Sequence, residues 1–325
     1  MAFVHGRNSV VLVNKFDLSQ YFNEASISNS VETAETTAFG NAAKTYISGL
    51  KDGTISLSGM FEAANGASSI DKVISDALQV DDAVFTFAPE RKTGGVAYSC
   101  IADPTSYEVS SSVSDLVSMS AELQSDKGID RAIVLSGTSS SFATTLTTAT
   151  TFDDPSYDYA ISNKSGLVAT LVAGSNTVTL TTGNTTNLAI GAILTVTSGA
   201  GAFGVGAVVQ SIIDSTNFTT SVPHATAGST TFSANTPSSG VNAVAYLHVT
   251  ANANVGTATF TVWDSADNVS FTQIPNAGFT VVPASTTAVQ RLEISAGQSI
   301  RRYVRARCVT SGAGSITYTI TFARR

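Results

Sequence analysis

Along most of this 325-residue chain apolar and polar residues trade places at every second position, the period of a β-strand with one face buried. Ile55, Leu57 and Phe61 share a face, as do Ala83, Phe85 and Phe87. Val117, Met119, Ala121 and Leu123 alternate with Ser118, Ser120, Glu122 and Gln124. One segment breaks into the helical period: Ile70, Val73, Ile74 and Leu78 follow Ser68, a candidate cap, with Asp71 three positions later. The pattern therefore predicts an all-β protein with one short packed helix near residues 69–79.

Between Thr33 and Gly53 no period holds, and the stretch is small, polar and punctuated by glycine. Typical connections in compact domains run ~4 to 6 residues, so a longer one reads either as a functional projecting loop or as a mobile surface loop. From Gly166 to Ser233 short apolar runs such as Val178–Leu180 and Ile193–Val196 are separated by Gly, Asn and Ser. A last β-unit begins near Val241, where Ala243, Ala245, Leu247 and Val249 alternate with Val244, Tyr246 and His248. It closes with Ile316, Tyr318, Ile320 and Phe322 between threonines. Three β-modules in series are expected, over residues 1–155, 156–236 and 237–325. The chain exceeds what one core usually supports.

Charge sharpens that division. The first 164 residues hold 20 Asp and Glu against 10 Lys and Arg, whereas Ser165 to Trp263 carries the single charge Asp214. The acidic excess reads as solubility, or as a negatively charged lining past which another polyanion slides. It disfavours tight nucleic-acid binding, which needs clustered cations. Arg305 and Arg307 lie on the strand face opposite Val304, Ala306 and Cys308. They are candidate interface residues, and equally a solvated face that discourages edge pairing. Ser136 to Thr151 reads as an extended linker or surface arm. Cys100 and Cys308 show neither metal-ligand nor disulfide-framework spacing and are expected to be buried thiols. The segment Met1 to Val13 lacks a small-residue cleavage site, and no run approaches the ~18 apolar residues of a spanning helix, so a soluble chain without a signal peptide is expected.

A search for catalytic chemistry is negative, and no catalytic, cofactor or metal residue is assigned. His5, His224 and His248 stand far apart with no HxxxH or HExxH context, and no Gly-x-Ser-x-Gly elbow occurs. Gly199, Gly201 and Gly204 spell G-x-G-x-x-G, yet no helix pattern follows and Asp214 arrives too soon, so this is a turn between strands.

The opening MAFVHGRNSVVLVNKFDLSQYFNEASISNS, the run KTYISGLKDGTISLSGMFE and the later SMSAELQSDKGIDRAIVL are similar to the major tail, or tail tube, proteins of long-tailed bacteriophages with non-contractile tails. The closing FTVWDSADNVSFTQIP, RRYVRARCVTSG and YTITFARR resemble the Ig-like β-sandwich often found in their second half. The middle piece resembles small β-modules inserted into phage structural proteins. The uncharged insert departs from the plainest tube proteins.

The resemblance implies a tail-tube β-sandwich or barrel domain followed by small Ig-like β-modules, packing into rings, usually sixfold, that stack into a hollow tube. Its implied partners are copies of itself, tape-measure, tail-terminator and tail-tip proteins, and DNA in transient passage. Its implied location is the virion, after assembly in the host cytoplasm. Under this reading Glu24, Glu32, Glu35, Asp52, Asp81 and Asp82 are candidates to face the lumen. Thr36, Phe39, Lys44 and Tyr46 fall in a candidate loop between rings. Two rivals are a carbohydrate-binding or adhesive β-sandwich using Trp263, Tyr303 or Phe271, and a capsid decoration protein.

Overall fold

The computed structural model describes residues 5–37, 43–62, 66, 69–78, 82–138, 141–148, 150–159, 164–185, 188, 192–235, 242–265, 268–295, 300, 301 and 303–324. The described residues are nearly all β, with one short α-helix. The first segment forms β1 (Val10–Val13), β2 (Phe16–Asp17), β3 (Phe22–Glu35), β4 (Tyr46–Met60), α1 (Ile70–Ala77), β5 (Ala83–Ala88), β6 (Val96–Ser110), β7 (Ser118–Ser125) and β8 (Asp130–Val134). The alternation works as the sequence predicts: Ile55 and Leu57 of β4 and Met119, Ala121 and Leu123 of β7 are buried in one cluster. Helix α1 closes that cluster with Ile70, Val73 and Ile74, the stripe of a 3.6-residue period. The N-cap is Ser69, whose side chain makes no capping bond. Asp71, expected to complete a capping pair, instead accepts a 2.8 Å hydrogen bond from the Tyr107 hydroxyl on β6.

After β8 come β9 (Thr144–Leu146), β10 (Thr151–Asp153) and β11 (Tyr157–Asp158). The linker expected over Ser136–Thr151 is in fact built into the core: Ser136, Phe142, Thr144 and Leu146 are buried, and β9 pairs with a C-terminal strand. The hydroxyls that made the segment look solvated are used internally. Ser136 Oγ donates to the Phe142 carbonyl at 3.1 Å and accepts from the Ile320 amide at 3.0 Å.

The middle segment folds on itself as β12 (Lys164–Leu171), β13 (Thr177–Thr182), β14 (Ile193–Gly199), β15 (Val209–Ile212), β16 (Asn217–Thr220) and β17 (Gly228–Asn235). These make a six-stranded sheet in the order β14-β17-β12-β13-β16-β15 with its own core, including Phe203, Phe218 and Phe232. The G-x-G-x-x-G run ends β14 and leads into a turn. Gly199 has φ +112°, and a Cβ there would stand 2.4 Å from the Ser229 carbonyl oxygen, so glycine is required by backbone approach and not by a phosphate.

The last segment forms β18 (Ala243–Asn252), β19 (Ala258–Ser265), β20 (Thr272–Gly278), β21 (Ala288–Ile294), β22 (Tyr303–Thr310) and β23 (Ile316–Arg324). A sheet in the order β10-β22-β19-β20, with β11 also on β22, faces β18 and β23 across a core that includes Phe260 and Tyr318. The other sheet does not stop at this module. It runs β2-β1-β5-β6-β8-β23-β18-β21, carrying β3, β4, β7 and β9 off that path, so the first and last segments share one twelve-stranded sheet. For that reason β18 is not half-buried, as its alternation suggests. Ala243 through Val249 are all buried, Ala245 and Leu247 against the sandwich core and Val244 and Tyr246 beside Val84 of β5.

Candidate functional site

The strands β3, β4, β7 and β6 form a one-sided antiparallel sheet. Its rungs run Glu24–Ser58–Ser120–Glu108, then Ser26–Ser56–Glu122–Ser106, then Ser28–Thr54–Gln124–Asp103. Ser30 and Asp52 complete the row between β3 and β4. The intervening positions, among them Ala25, Ile27, Ile55, Leu57, Ala121 and Tyr107, turn into the core against α1. One face is thus sealed, and the other is a carpet of small hydroxyls with five carboxylates and no lysine or arginine. Part of it is a shallow hollow of about 370 Å³ lined by Glu24, Glu108, Glu122 and serines between them. Serine keeps the surface low, and the carboxylates give it one sign of charge over a wide area. Gln124 braces one end: its Nε2 donates to Asp52 Oδ1 and, at 3.2 Å, to the Gly53 carbonyl.

Glu24 and Asp52 therefore lie on this face. Glu32 and Glu35 are exposed on the outer part of β3, where Glu35 meets Lys44 at 3.1 Å. Asp82 lies exposed at the margin, its backbone amide donating to Asp103 Oδ1 at 2.8 Å. Asp81 and Phe39 fall outside the described residues. Asp103, Glu108 and Glu122 escaped the sequence reading. Each sits in a polar position of an alternating strand, but only the strand register reveals that they share a face with Glu24.

The aperiodic stretch 33–53 is mostly strand, not loop. Beyond the two strands the Thr36 amide donates to the Thr45 carbonyl at 2.8 Å, and residues 38–42 lie outside the described residues. Strand β7 pairs with β4 only from Thr54 to Met60, so β3 and β4 continue past it as a two-stranded ribbon. Both faces of that ribbon are exposed, which removes the reason for apolar alternation and explains why no period is visible. Thr36, Lys44 and Tyr46 all lie exposed at its outer end. Val31, Ile47 and Leu50 are exposed there as well, Leu50 at 77%. A free two-stranded ribbon is only marginally stable in water, and exposed aliphatics on it signal a contact surface. In addition, among the described residues β3 pairs with a strand on one side only, leaving a fourteen-residue edge open.

Arg305 and Arg307 meet an acidic residue of their own chain. Arg305 Nη2 lies 2.8 Å from Asp153 Oδ2, and Arg307 holds the same carboxylate through Nε at 2.5 Å and Nη2 at 2.9 Å. Their guanidinium carbons stand 3.9 Å from the Phe271 ring centre and 3.8 Å from that of Trp263. Two of the three aromatics named for a sugar platform, Phe271 and Trp263, are thus stacked under cations. The Asp153 hydrogen bond raises the Arg307 pKa, while burial lowers that of Arg305.

His248 is fully buried between β18 and β5, and burial pushes its pKa down to about 4. The neutral ring donates from Nδ1 to the Asn14 carbonyl at 2.5 Å, leaving Nε2 to accept from Thr86 Oγ1 at 2.9 Å. Ser99 and Thr321 extend the chain of hydroxyls. Asp154, also buried, accepts from Thr144 Oγ1, from the Tyr318 hydroxyl at 2.9 Å and from the Gly137 amide at 3.3 Å. Burial outweighs these bonds and pushes it up to about 7. Cys100 and Cys308 are buried thiols pushed up to about 12 by burial. Among the described residues no group of three or more His, Cys, Asp or Glu is placed to hold a metal ion, and no helix is long and apolar enough to cross a membrane.

No family model matches the chain, and no curated protein matches it. Among solved structures it is similar to a chain of the virion of a native gene transfer agent particle, at 18% identity and a TM-score of 0.31, over 38% of this chain and 95% of that one. A chain from the tail of an empty gene transfer agent particle aligns at 16% identity and a TM-score of 0.33, over 39% and 97%. The Dit protein of phage SPP1, from a hub adsorption apparatus, aligns at 9% identity and a TM-score of 0.29, over 96% and 98%.

Proposed function

We propose that this chain is a structural subunit of a phage tail tube, assembling with copies of itself into stacked rings around a channel that DNA traverses. The observation that carries the reading is the one-sided sheet. Its inner face is anchored on the core, and its outer face offers hydroxyls and carboxylates without a cation. A channel wall of that kind presents nothing for phosphates to grip, because retention of DNA depends on Lys and Arg contacts. The open edge of β3 supplies a site at which a neighbouring copy extends the sheet, and repeated contacts of that heterologous kind build rings and filaments without chemistry. Glu24, Asp52, Asp103, Glu108 and Glu122 then line the channel, and the ribbon of β3 and β4 reaches toward the next ring. Tape-measure, tail-terminator and tail-tip proteins are the partners this role requires.

Negative-stain electron microscopy of the purified chain at rising concentration tests the proposal. Rings or hollow tubes are expected, with Glu24 and Glu122 on the inner wall of a reconstruction. Persistent monomers in the presence of tail-tip complexes, or a tube whose inner wall is basic, would overturn it.

A further inference from the structure

Among the described residues of the middle segment, one buried side-chain nitrogen or oxygen lacks a hydrogen-bond partner, and it is Nε2 of His224. His224 sits at the tip of the segment, the end away from the start of β12 and the close of β17. There it clasps the turn between β12 and β13 to the loop between β16 and β17. The His224 amide donates to the Ser175 carbonyl at 2.9 Å, the Gly174 amide to the His224 carbonyl at 3.0 Å, and ring Nδ1 to the Val172 carbonyl at 3.2 Å. A carbonyl only accepts, so Nδ1 holds the proton and the ring is neutral. The ring stands edge-on to Phe203, centres 5.6 Å apart; Phe203 meets Phe232 at 5.0 Å, and Phe232 meets Phe218 at 6.2 Å. His224 is thus the outermost ring of a file that runs into the core of the segment.

This placement makes the ring sensitive to acid. A second proton would put an N–H donor at Nε2, in a residue only 3% exposed, where no acceptor stands. Burial accordingly lowers the His224 pKa below its ordinary 6.5, although the bond to Val172 opposes that shift. No charge is at hand to offset the proton. Between Ser165 and Asn235 the only other ionisable side chain is Asp214, which lies in the turn at the opposite end and is held there by Thr216 and Asn217. Lys164 lies at that far end too, bound to Asn184. Around the ring, Val172 is exposed and Val205 fully exposed.

We propose that His224 is an acid-operated cover at the tip of the middle segment. On protonation the ring turns out to water and uncovers Phe203 beside Val172 and Val205, so that the tip becomes one apolar surface. The clasp is intact above pH 6.5 and is lost as pH falls through the folded pKa, the sign that a lowered histidine pKa requires. The device belongs to the middle segment alone and holds whether or not the chain assembles into a tube.

The test uses the full chain carrying Val205→Cys, labelled there with a polarity-sensitive fluorophore; the native Cys100 and Cys308 are buried and do not compete. Between pH 8 and pH 4 the label should show one reversible transition with its midpoint below 6.5. The same label at Leu116→Cys, exposed in the first segment, should show none over that step. Adding His224→Gln or His224→Phe to Val205→Cys should abolish the transition, since neither side chain titrates and the phenylalanine keeps the file of rings filled. Ring resonances of His224 in the unsubstituted chain, one of only three histidines, give a check that needs no substitution: they should titrate together with the label. A label silent from pH 8 to pH 4, a transition that survives both His224 substitutions, one that appears equally at Leu116, or a His224 midpoint at or above 6.5 would each overturn the proposal.

Discussion

The sheet of β3, β4, β7 and β6 and the pair β18 and β23 are written in the same alternating code, yet they end in opposite environments. In the first, Ser56, Ser58, Ser120 and Glu122 fill the second row and face solvent. In the second, that row is Tyr246, His248, Thr319 and Thr321, and all four are buried. The difference lies in what covers the second row. Among the described residues nothing lies over the serines, whereas Thr86 of β5, Ser99 of β6, Asp130 of β8 and Asn14 beside β1 meet the polar row of β18 and β23: Thr86 and Asn14 for His248, Ser99 for Thr321, Asp130 for Tyr246 at 2.6 Å. A polar row on a strand is thus either a wall or a joint. The joint fixes the first and last segments to each other as parts of one sheet, and the wall stays available for assembly.

The comparison breaks most readily at His248. Replacing it with leucine leaves the Asn14 carbonyl and the Thr86 hydroxyl without their partner in a dry site and should cost about 3 kcal/mol, read from the shift in the denaturation midpoint. A loss below about 1 kcal/mol would mean the joint is not held by this network. The pH dependence carries a sign as well. His248 titrates at about 4 when folded against 6.5 when unfolded, so its contribution is present above pH 6.5 and is lost as pH falls toward 4. The variant His248→Gln should flatten that part of the stability curve.

Asp154 leans the other way. Its carboxyl is raised from 3.8 to about 7, so the folded state holds the proton more tightly and stability from this group falls as pH rises from about 4 to about 7. Asp154→Asn should remove that slope whatever its constant offset, as chemical denaturation across pH 4 to 8 would show. Curves that stay parallel to wild type would mean that the hydrogen bonds from Thr144, Tyr318 and Gly137 hold Asp154 ionised throughout.

The smallest effect is expected at the wall. Glu108→Gln and Glu122→Gln should each change stability by less than about 0.5 kcal/mol, because these side chains are exposed and nothing in the structure needs their charge to fold. Their effect should instead appear in assemblies. A Glu24→Lys, Glu108→Lys, Glu122→Lys triple variant should retain DNA at low salt and release it steeply as salt rises, while wild type retains none. Equal DNA retention by both would separate the carboxylate face from any channel role.

Much of this was legible in the residues. Alternation placed Ile55, Leu57, Met119, Ala121 and Leu123 in a core, and the 3.6-residue stripe of Ile70, Val73 and Ile74 marked the helix, because both periods follow from backbone geometry alone. The ribbon was missed because a strand exposed on both faces leaves no periodic trace. The segment 136–151 was misread because Ser136 and Thr144 look the same in sequence whether water or a neighbouring strand satisfies them.

What the sequence determined by itself is which positions alternate, where charge is concentrated and which chemistry is missing, since these depend on residue type and local spacing. Partnership is settled only in the folded chain: there Glu24, Glu108 and Glu122 share one face, His248 meets Thr86, and Asp153 binds Arg305 and Arg307. Those pairs join residues that are mostly far apart in sequence. Register and sheet order bring them together, and both are set by the summed burial of whole strands, which no local window of sequence contains.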